Sequence, residues 1–141
     1  MARKKSQTSV EFIITAALLF SVILVIAAAN LDVLASGNER MRITKVKHAI
    51  DELSKQAELV YQEGYGAKTK VYINIPNSIS ATSVNDGIIT INLTTMGGEE
   101  SFFRKLDFNA TGTIPSEEGS YWVEVESLGT YVEISNINTT G

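Results

Sequence analysis

The N-terminal segment of the chain reads RKKSQTSVEFIITAALLFSVILVIAAA over residues 3–29. From Phe12 to Ala29 only Thr15 and Ser21 are polar, a length close to the roughly 20 helical residues that cross a bilayer. A helix that is apolar on every side is stable in lipid or in the interior of an assembly. The segment therefore predicts a membrane-spanning helix, the core of an assembly, or both in succession.

Three basic residues, Arg3, Lys4 and Lys5, lie directly before this segment. Because the cytoplasmic flanks of membrane helices are enriched in Lys and Arg, they predict that the C-terminal region lies outside the cell. An ordinary cleaved secretory leader is an alternative, since such leaders end in small residues and the apolar run ends in three alanines at 27–29.

The motif at the start of the apolar segment is a basic leader followed by Gln-x-Ser-x-Glu, with Gln7, Ser9, Glu11 and Phe12 at its defining positions. It resembles the class III signal peptide of archaeal type IV pilin precursors. The resemblance is confined to roughly residues 1–35, so the remainder of the chain is interpreted from its own pattern.

The resemblance implies that a dedicated prepilin peptidase cuts between Ser6 and Gln7. Residues 1–6 would then be a cleavable basic leader, and the apolar helix at 7–35 would stay on the mature protein. A Gly often precedes the cut in that family, whereas Ser6 stands there in this chain.

A carboxylate at Glu11, beside an apolar helix, costs on the order of 1 to 3 kcal/mol depending on its depth in the membrane. The resemblance implies that its partner is the new α-amino group of Gln7, on the same or a neighbouring subunit. That assembly charge pair would fix the axial position of each subunit in a filament. The alternative is a solvated Glu11 at the level of the lipid headgroups.

Apolar residues then recur at spacings of three and four and predict an amphipathic helix over 36–63. They are Ile43, Val46, Ile50, Leu53, Ala57 and Val60. We expect this stripe to pack against the C-terminal domain of the same chain, with a short coiled coil as the alternative. Gly37 predicts a bend or local melting of the helix, or alternatively a turn between two helices.

The period changes to two after Gly64 and Gly66, which indicates an antiparallel β domain over 67–141. Predicted strands begin with Val71, Ile73 and Ile75, continue with Ile89, Ile91 and Leu93, and follow near 102–108, 121–126 and 131–137. Asn85-Asp86-Gly87 and Gly97-Gly98 predict turns, and the last two strands predict a hairpin through Leu128-Gly129.

The predicted fold class is therefore α+β: a long N-terminal helix packed on a small antiparallel β-sandwich, or barrel, of five or six strands. The resemblance implies the same, because filament subunits of that family carry a β-sandwich head.

Three tripeptides match the acceptor pattern for N-glycosylation, at Asn92, Asn109 and Asn138. Alternation places Asn92 on the opposite face of its strand from Ile91 and Leu93, hence outward. A surface rich in Thr and Asn also produces such tripeptides by chance.

Catalytic and metal chemistry find little support in the composition. The chain has no Cys and one His, His48, within a basic helical stretch, and the pairs Glu99-Glu100 and Glu117-Glu118 lack the oxygen ligands of a calcium loop. Gly64-Tyr65-Gly66 lacks the rest of a dinucleotide motif. A net charge of -4 disfavours nucleic acid as a partner. We expect no enzyme, no cofactor and no metal.

The sequence thus favours a structural subunit of an archaeal type IV pilus-like filament for adhesion, held in the membrane as a precursor and extracellular when mature. The resemblance implies identical subunits, a prepilin peptidase, an assembly ATPase and a membrane platform protein as partners. A minor pilin or archaellin-type subunit is an alternative within the family. A single-pass anchored binding domain, using exposed aromatics such as Tyr72 and Trp122, is an alternative outside it.

Overall fold

A computed structural model of the chain describes residues 2–137, with side chains from Lys4 onward. One helix precedes seven strands, and this confirms the α+β class. The elements are α1 (Ala2–Glu63), β1 (Lys68–Ile75), β2 (Ile79–Asn85), β3 (Ile88–Thr95), β4 (Gly98–Lys105), β5 (Asn109–Gly112), β6 (Gly119–Ser127) and β7 (Tyr131–Asn136).

Helix α1 is 62 residues long and is shared by two compact units that meet between Asn38 and Glu39. Helical structure continues through Gly37, so the alternative of a turn between two helices is wrong. A bend at Gly37 stays a prediction. The helix ends where Gly64 takes a φ of 94°, a left-handed conformation that glycine adopts without strain, and its N–H still bonds to the Val60 carbonyl at 3.1 Å.

The seven strands form a single sheet in the order β1-β6-β7-β5-β2-β3-β4. All neighbouring pairs are antiparallel except β5 and β7, which run parallel. The hairpin of β6 and β7 is confirmed, and so is the turn at Asn85-Asp86-Gly87. Asp86 and Gly87 there have φ values of 50° and 76°, the signs that a tight hairpin turn between twisted strands requires.

One face of the sheet is buried under the C-terminal half of α1. The predicted helix stripe supplies this cover: Val46, Leu53 and Ala57 are 0% exposed, and Ile43 packs at the margin. The strands contribute alternate apolar side chains to the same core, such as Val123 and Val125 of β6. The stripe therefore packs against its own domain, as expected, and is not a coiled-coil seam.

The prediction of a sandwich or barrel is wrong, because a single sheet carries all seven strands. Each strand has only one apolar face, and that face is already covered by the helix. The opposite face is largely polar, with Tyr72, Trp122 and Phe103 as its exposed aromatic residues, and lacks the continuous apolar surface on which a second sheet would pack. The strand predicted near 102–108 lies at Gly98–Lys105, and the turn before it is at Met96 and Gly97.

Two halves of the sheet meet at a narrow seam between β2 and β5. Their ladder consists of one residue pair, Val84 with Gly112. Two further bonds reinforce it: the Gly87 N–H donates to the Ala110 carbonyl at 3.2 Å, and the Thr82 hydroxyl donates to the Ile114 carbonyl at 2.8 Å. Every other neighbouring pair of strands shares at least four residue pairs within the described part of the chain.

Polar contacts along the flanks of α1 fix the edge strand β4 and the nearby loops. Arg104 of β4 pairs with Asp51 of the helix at 3.0 Å. Near the start of the second unit, the Met96 N–H donates to the Glu39 carboxylate at 2.8 Å, and Arg42 donates to the Ser78 hydroxyl at 3.0 Å. These contacts place both loops against the helix.

Candidate functional site

The principal candidate site is the exposed surface of α1 between Val10 and Leu34. Its large apolar side chains are between 55% and 74% exposed, with Phe12 the most exposed. Removing apolar surface from water yields about 25 cal/mol per Å², so a surface of this size strongly favours a covering partner. The exposed helix packs against other chains or a membrane.

The uncharged polar side chains inside this surface donate hydrogen bonds to the backbone of the helix, whereas Glu11 and Asp32 are its two charged residues. Thr15 and Ser21 each donate a hydrogen bond of 2.8 Å to the carbonyl four residues earlier, at Glu11 and Ala17. Asn30 donates to the Ile26 carbonyl at 2.9 Å. An unsatisfied polar group in hydrocarbon costs several kcal/mol, so these bonds make the surface compatible with lipid.

Among the described residues, the structure contains one helix, Lys4–Glu63, that is long and apolar enough to cross a membrane. Its most apolar window is 0% buried. A secretion signal near an N-terminus can have the same length and composition. This supports a membrane-inserted or secreted protein.

The processing motif lies on the exposed N-terminal turns of α1. Ser6, Gln7, Ser9, Glu11 and Phe12 are all helical and exposed. Among the described side chains, no ion pair or hydrogen bond involves the Glu11 carboxylate. The cleavage at Ser6-Gln7 and the pairing of Glu11 with the Gln7 amino group stay predictions.

No protein-family model, curated protein or solved structure matches the chain. The class of protein is therefore defined by the architecture alone. A long apolar N-terminal helix that continues into a segment packed on a mostly antiparallel sheet is a pilin-like architecture.

The three predicted glycosylation sites differ in their surroundings. Asn109, at the start of β5, is exposed, as is its Thr111. Asn92 points away from the buried Ile91 and Leu93, as predicted, but it is only partly exposed between β2 and β4, and its Oδ1 is buried without a hydrogen-bond partner. Asn138 lies outside the described residues.

The residues considered for catalysis or metal binding are dispersed. His48 is exposed on α1, and the Glu99 carboxylate accepts a hydrogen bond of 2.6 Å from the Ser80 hydroxyl. In the described part of the chain, no three His, Cys, Asp or Glu side chains lie together as a possible metal site. The absence of enzymatic activity stays a prediction.

A second surface feature is an aromatic pair on the outer face of the sheet. Tyr72 of edge strand β1 lies directly opposite Trp122 of β6, and their ring centroids are 5.2 Å apart at 56°. The rings are 55% and 45% exposed. The sequence predicted both residues as outward-facing, but it did not show that they are direct cross-strand partners.

Charged residues lie beside this pair on the same face. Lys68 Nζ is 3.1 Å from Glu126 and 4.0 Å from Glu124. The hydrogen bond and the negative charge of Glu126 raise the pKa of Lys68 above its ordinary value, with a smaller contribution from Glu124. Lys68 is therefore cationic at neutral pH and holds mainly Glu126.

Proposed function

We propose that the chain is the precursor of a structural subunit of an archaeal type IV pilus-like filament that serves in adhesion. The observation that carries the proposal is the exposed apolar window of α1, none of which is buried, on a chain whose head has its own hydrophobic core. The head needs no further apolar cover, so the exposed helix is available for lipid first and for other subunits afterwards.

The motif at residues 7–12 supports processing at the membrane. In this proposal the prepilin peptidase removes residues 1–6, and with them the basic residues that retain the N-terminus in the cytoplasm. Gln7 then becomes the mature N-terminus. Its amino group and the Glu11 carboxylate form the charge pair that sets the axial position of neighbouring subunits.

Filament growth follows from one repeated contact between different surfaces of identical subunits. A heterologous contact whose rotation does not close a ring propagates into a helical polymer. The apolar helices provide such a contact and bury their surface in the filament core. An assembly ATPase and a membrane platform protein supply the energy and the extraction from the bilayer.

Sequencing the N-terminus of the main protein in filaments sheared from cells tests the proposal. We expect this chain with Gln7 as its first residue.

A matched pair of variants separates assembly from folding: Leu19→Glu, in the apolar surface, should remove the chain from the sheared fraction. Leu59→Glu, on the exposed face of the helix in the head, should not. Sheared filaments that lack this chain would refute the proposal.

A second candidate is a single-pass membrane-anchored binding domain, which the exposed Tyr72–Trp122 pair favours. It predicts a chain that remains in the membrane fraction and begins at Met1 or Ala2. The same N-terminal sequencing, applied to sheared filaments and membranes in parallel, separates the two candidates. The abundance of the chain in the filaments separates a major subunit from a minor pilin. Its presence in archaella instead of pili would identify an archaellin-type subunit.

A further inference from the structure

We propose that the Tyr72–Trp122 pair is a carbohydrate-binding platform that receives a pyranose ring of a glycan on another surface. The inference rests on the proposed adhesive function, since it names the class of ligand that the displayed head would bind. Strands β1 and β6 of a single chain form the platform, which does not depend on how subunits assemble.

Both residues of the aromatic pair are exposed. A cross-strand aromatic pair stabilises a hairpin or sheet edge, but here about half of the surface of each residue remains in water. Among the described residues, strand β1 is an edge strand whose one partner is β6, so no further strand of this part of the chain lies beside Tyr72. Aromatic faces carry partial negative charge, which attracts the positively polarised C–H groups of a sugar ring.

Polar residues lie on both sides of the two rings. One step along the strands, Asn74 donates a hydrogen bond of 2.8 Å to Ser120, its cross-strand partner. In the other direction lies Glu124, whose side chain is 30% exposed. Its carboxylate is 4.0 Å from Lys68 Nζ, a longer contact than the 3.1 Å between Lys68 and Glu126. These groups keep hydrogen-bonding capacity for hydroxyls on either side of a stacked ring.

The patch is small. Its apolar part consists of two aromatic rings and the half-buried Ile137, which directly follows β7 and donates its N–H to the Trp122 carbonyl at 3.1 Å, and polar residues surround it. A stable protein interface buries roughly 800 Å² on each partner, far more than this patch offers. An apolar platform with a few polar groups around it suits a small polar ligand that also has an apolar face.

Trp122 is the single Trp of the chain, so its fluorescence reports on this platform alone. The test uses the full chain in a polyoxyethylene detergent, because detergents with sugar headgroups would compete. The probes are tetramers of β-1,4-linked glucose, β-1,4-linked N-acetylglucosamine and α-1,2-linked mannose. We expect a saturable change in Trp122 emission with at least one of them.

Variants analysed by calorimetry for the same probes locate the site. Trp122→Ala should bind at least tenfold more weakly, Trp122→Phe should retain most of the affinity, and Asn74→Ala should bind severalfold more weakly. Phe103→Ala is the matched control, because Phe103 is 70% exposed on the same face of the sheet at the opposite edge, and its removal should change nothing. If Trp122→Ala does not fold, Tyr72→Leu takes its place.

Three results would overturn the inference. The first is the absence of saturable binding with all three probes, and the second is equal loss of binding in the Phe103→Ala control. The third is a shift of Trp122 emission on filament assembly together with failure of Trp122→Ala to assemble, which would make the pair a contact between subunits. The first result leaves the filament proposal intact, since the detergent-solubilised chain is tested without assembly.

Discussion

Leu53 and Leu59 lie on the same helix but in opposite environments. Leu53 is 0% exposed under the sheet, whereas Leu59 is 44% exposed. Replacement of a buried Leu by Ala costs about 2 to 5 kcal/mol because apolar contacts are lost and a cavity remains. Leu53→Ala should therefore lower the melting temperature of the head by about 10 °C or more, and Leu59→Ala should change it by only a few degrees.

Thermal unfolding followed by Trp122 fluorescence measures both variants. The head contains the chromophore, so the signal reports the unit to which both leucines belong. Equal melting temperatures for the two variants would contradict the assignment of Leu53 to the core.

The glycosylation sites also differ at the scale of single residues. Asn109 and Thr111 are exposed, whereas Asn92 is confined on strand β3 between β2 and β4. A glycosyltransferase needs the amide nitrogen to be accessible, so we expect the Asn109 site to carry more glycan than the Asn92 site. Mass spectrometry of tryptic peptides from native protein measures both, since cleavage after Arg104 and Lys105 separates them.

Asn109→Gln should lower the added mass of the C-terminal peptide, which also contains the Asn138 site, and Asn92→Gln should leave the total mass nearly unchanged. A heavily modified peptide containing Asn92 beside an unmodified Asn109 would show that exposure in the folded head does not govern the modification.

Gly112 is essential to the element that joins the two halves of the sheet. Its φ is 142°, and a Cβ at this position would collide with the backbone of Ile134, including its carbonyl oxygen. Gly112→Ala should thus destabilise the head by more than about 1 kcal/mol, because the backbone of β5 or β7 must move.

The matched control is Gly97→Ala, in the turn before β4. A Cβ there would meet only the Thr95 hydroxyl, at 3.8 Å, and the backbone has no positive φ. Its melting temperature should stay within a few degrees of the unsubstituted chain. A Gly112→Ala variant as stable as this control would mean that β5 can be displaced without loss.

The elements with a clear apolar period were predictable, and the others were not. The stripe from Ile43 to Val60 predicted both the helix and its packing, and Val123 and Val125 predicted the buried face of β6. Strand β5 is four residues long and β2 has a single buried position, so neither shows an alternation that sequence could reveal. Strand β4 is exposed at almost every position, and it was predicted at 102–108 instead of Gly98–Lys105. The parallel pairing of β5 with β7 depends on contacts distant in sequence.

At the scale of the whole molecule, the number of layers was not predictable from the strands. Alternation shows that one face of each strand is buried, but a second sheet and a helix can cover that face equally well. The motif at residues 7–12 and the apolar run to Ala29 indicated the candidate site, and the structure adds that this run is 0% buried. The chains or lipids that cover this run lie outside a single chain, so its own sequence and fold do not identify them.

Glu11→Gln tests the assembly of whole subunits. The substitution removes one charge and leaves the shape of the side chain, so insertion in the membrane should persist while the proposed pairing with the Gln7 amino group would be lost. We expect normal amounts of processed chain in membranes and at least tenfold fewer filaments on cells, counted by electron microscopy.

Glu63→Gln is the control, because Glu63 is an exposed carboxylate at the far end of the same helix, within the head. It should leave filament numbers unchanged. Normal filament numbers in Glu11→Gln cells would remove this charge from the mechanism.

The narrow seam between β2 and β5 determines how the head would respond to a pulling force. One ladder pair and two additional bonds cross it, whereas the core side chains of α1 belong to the same cluster as strands on both sides. The helix therefore connects the two halves of the sheet across this weak seam. In the proposed filament under tension, load that travels along the helices would bypass the seam, and the head would remain folded while the filament is stretched.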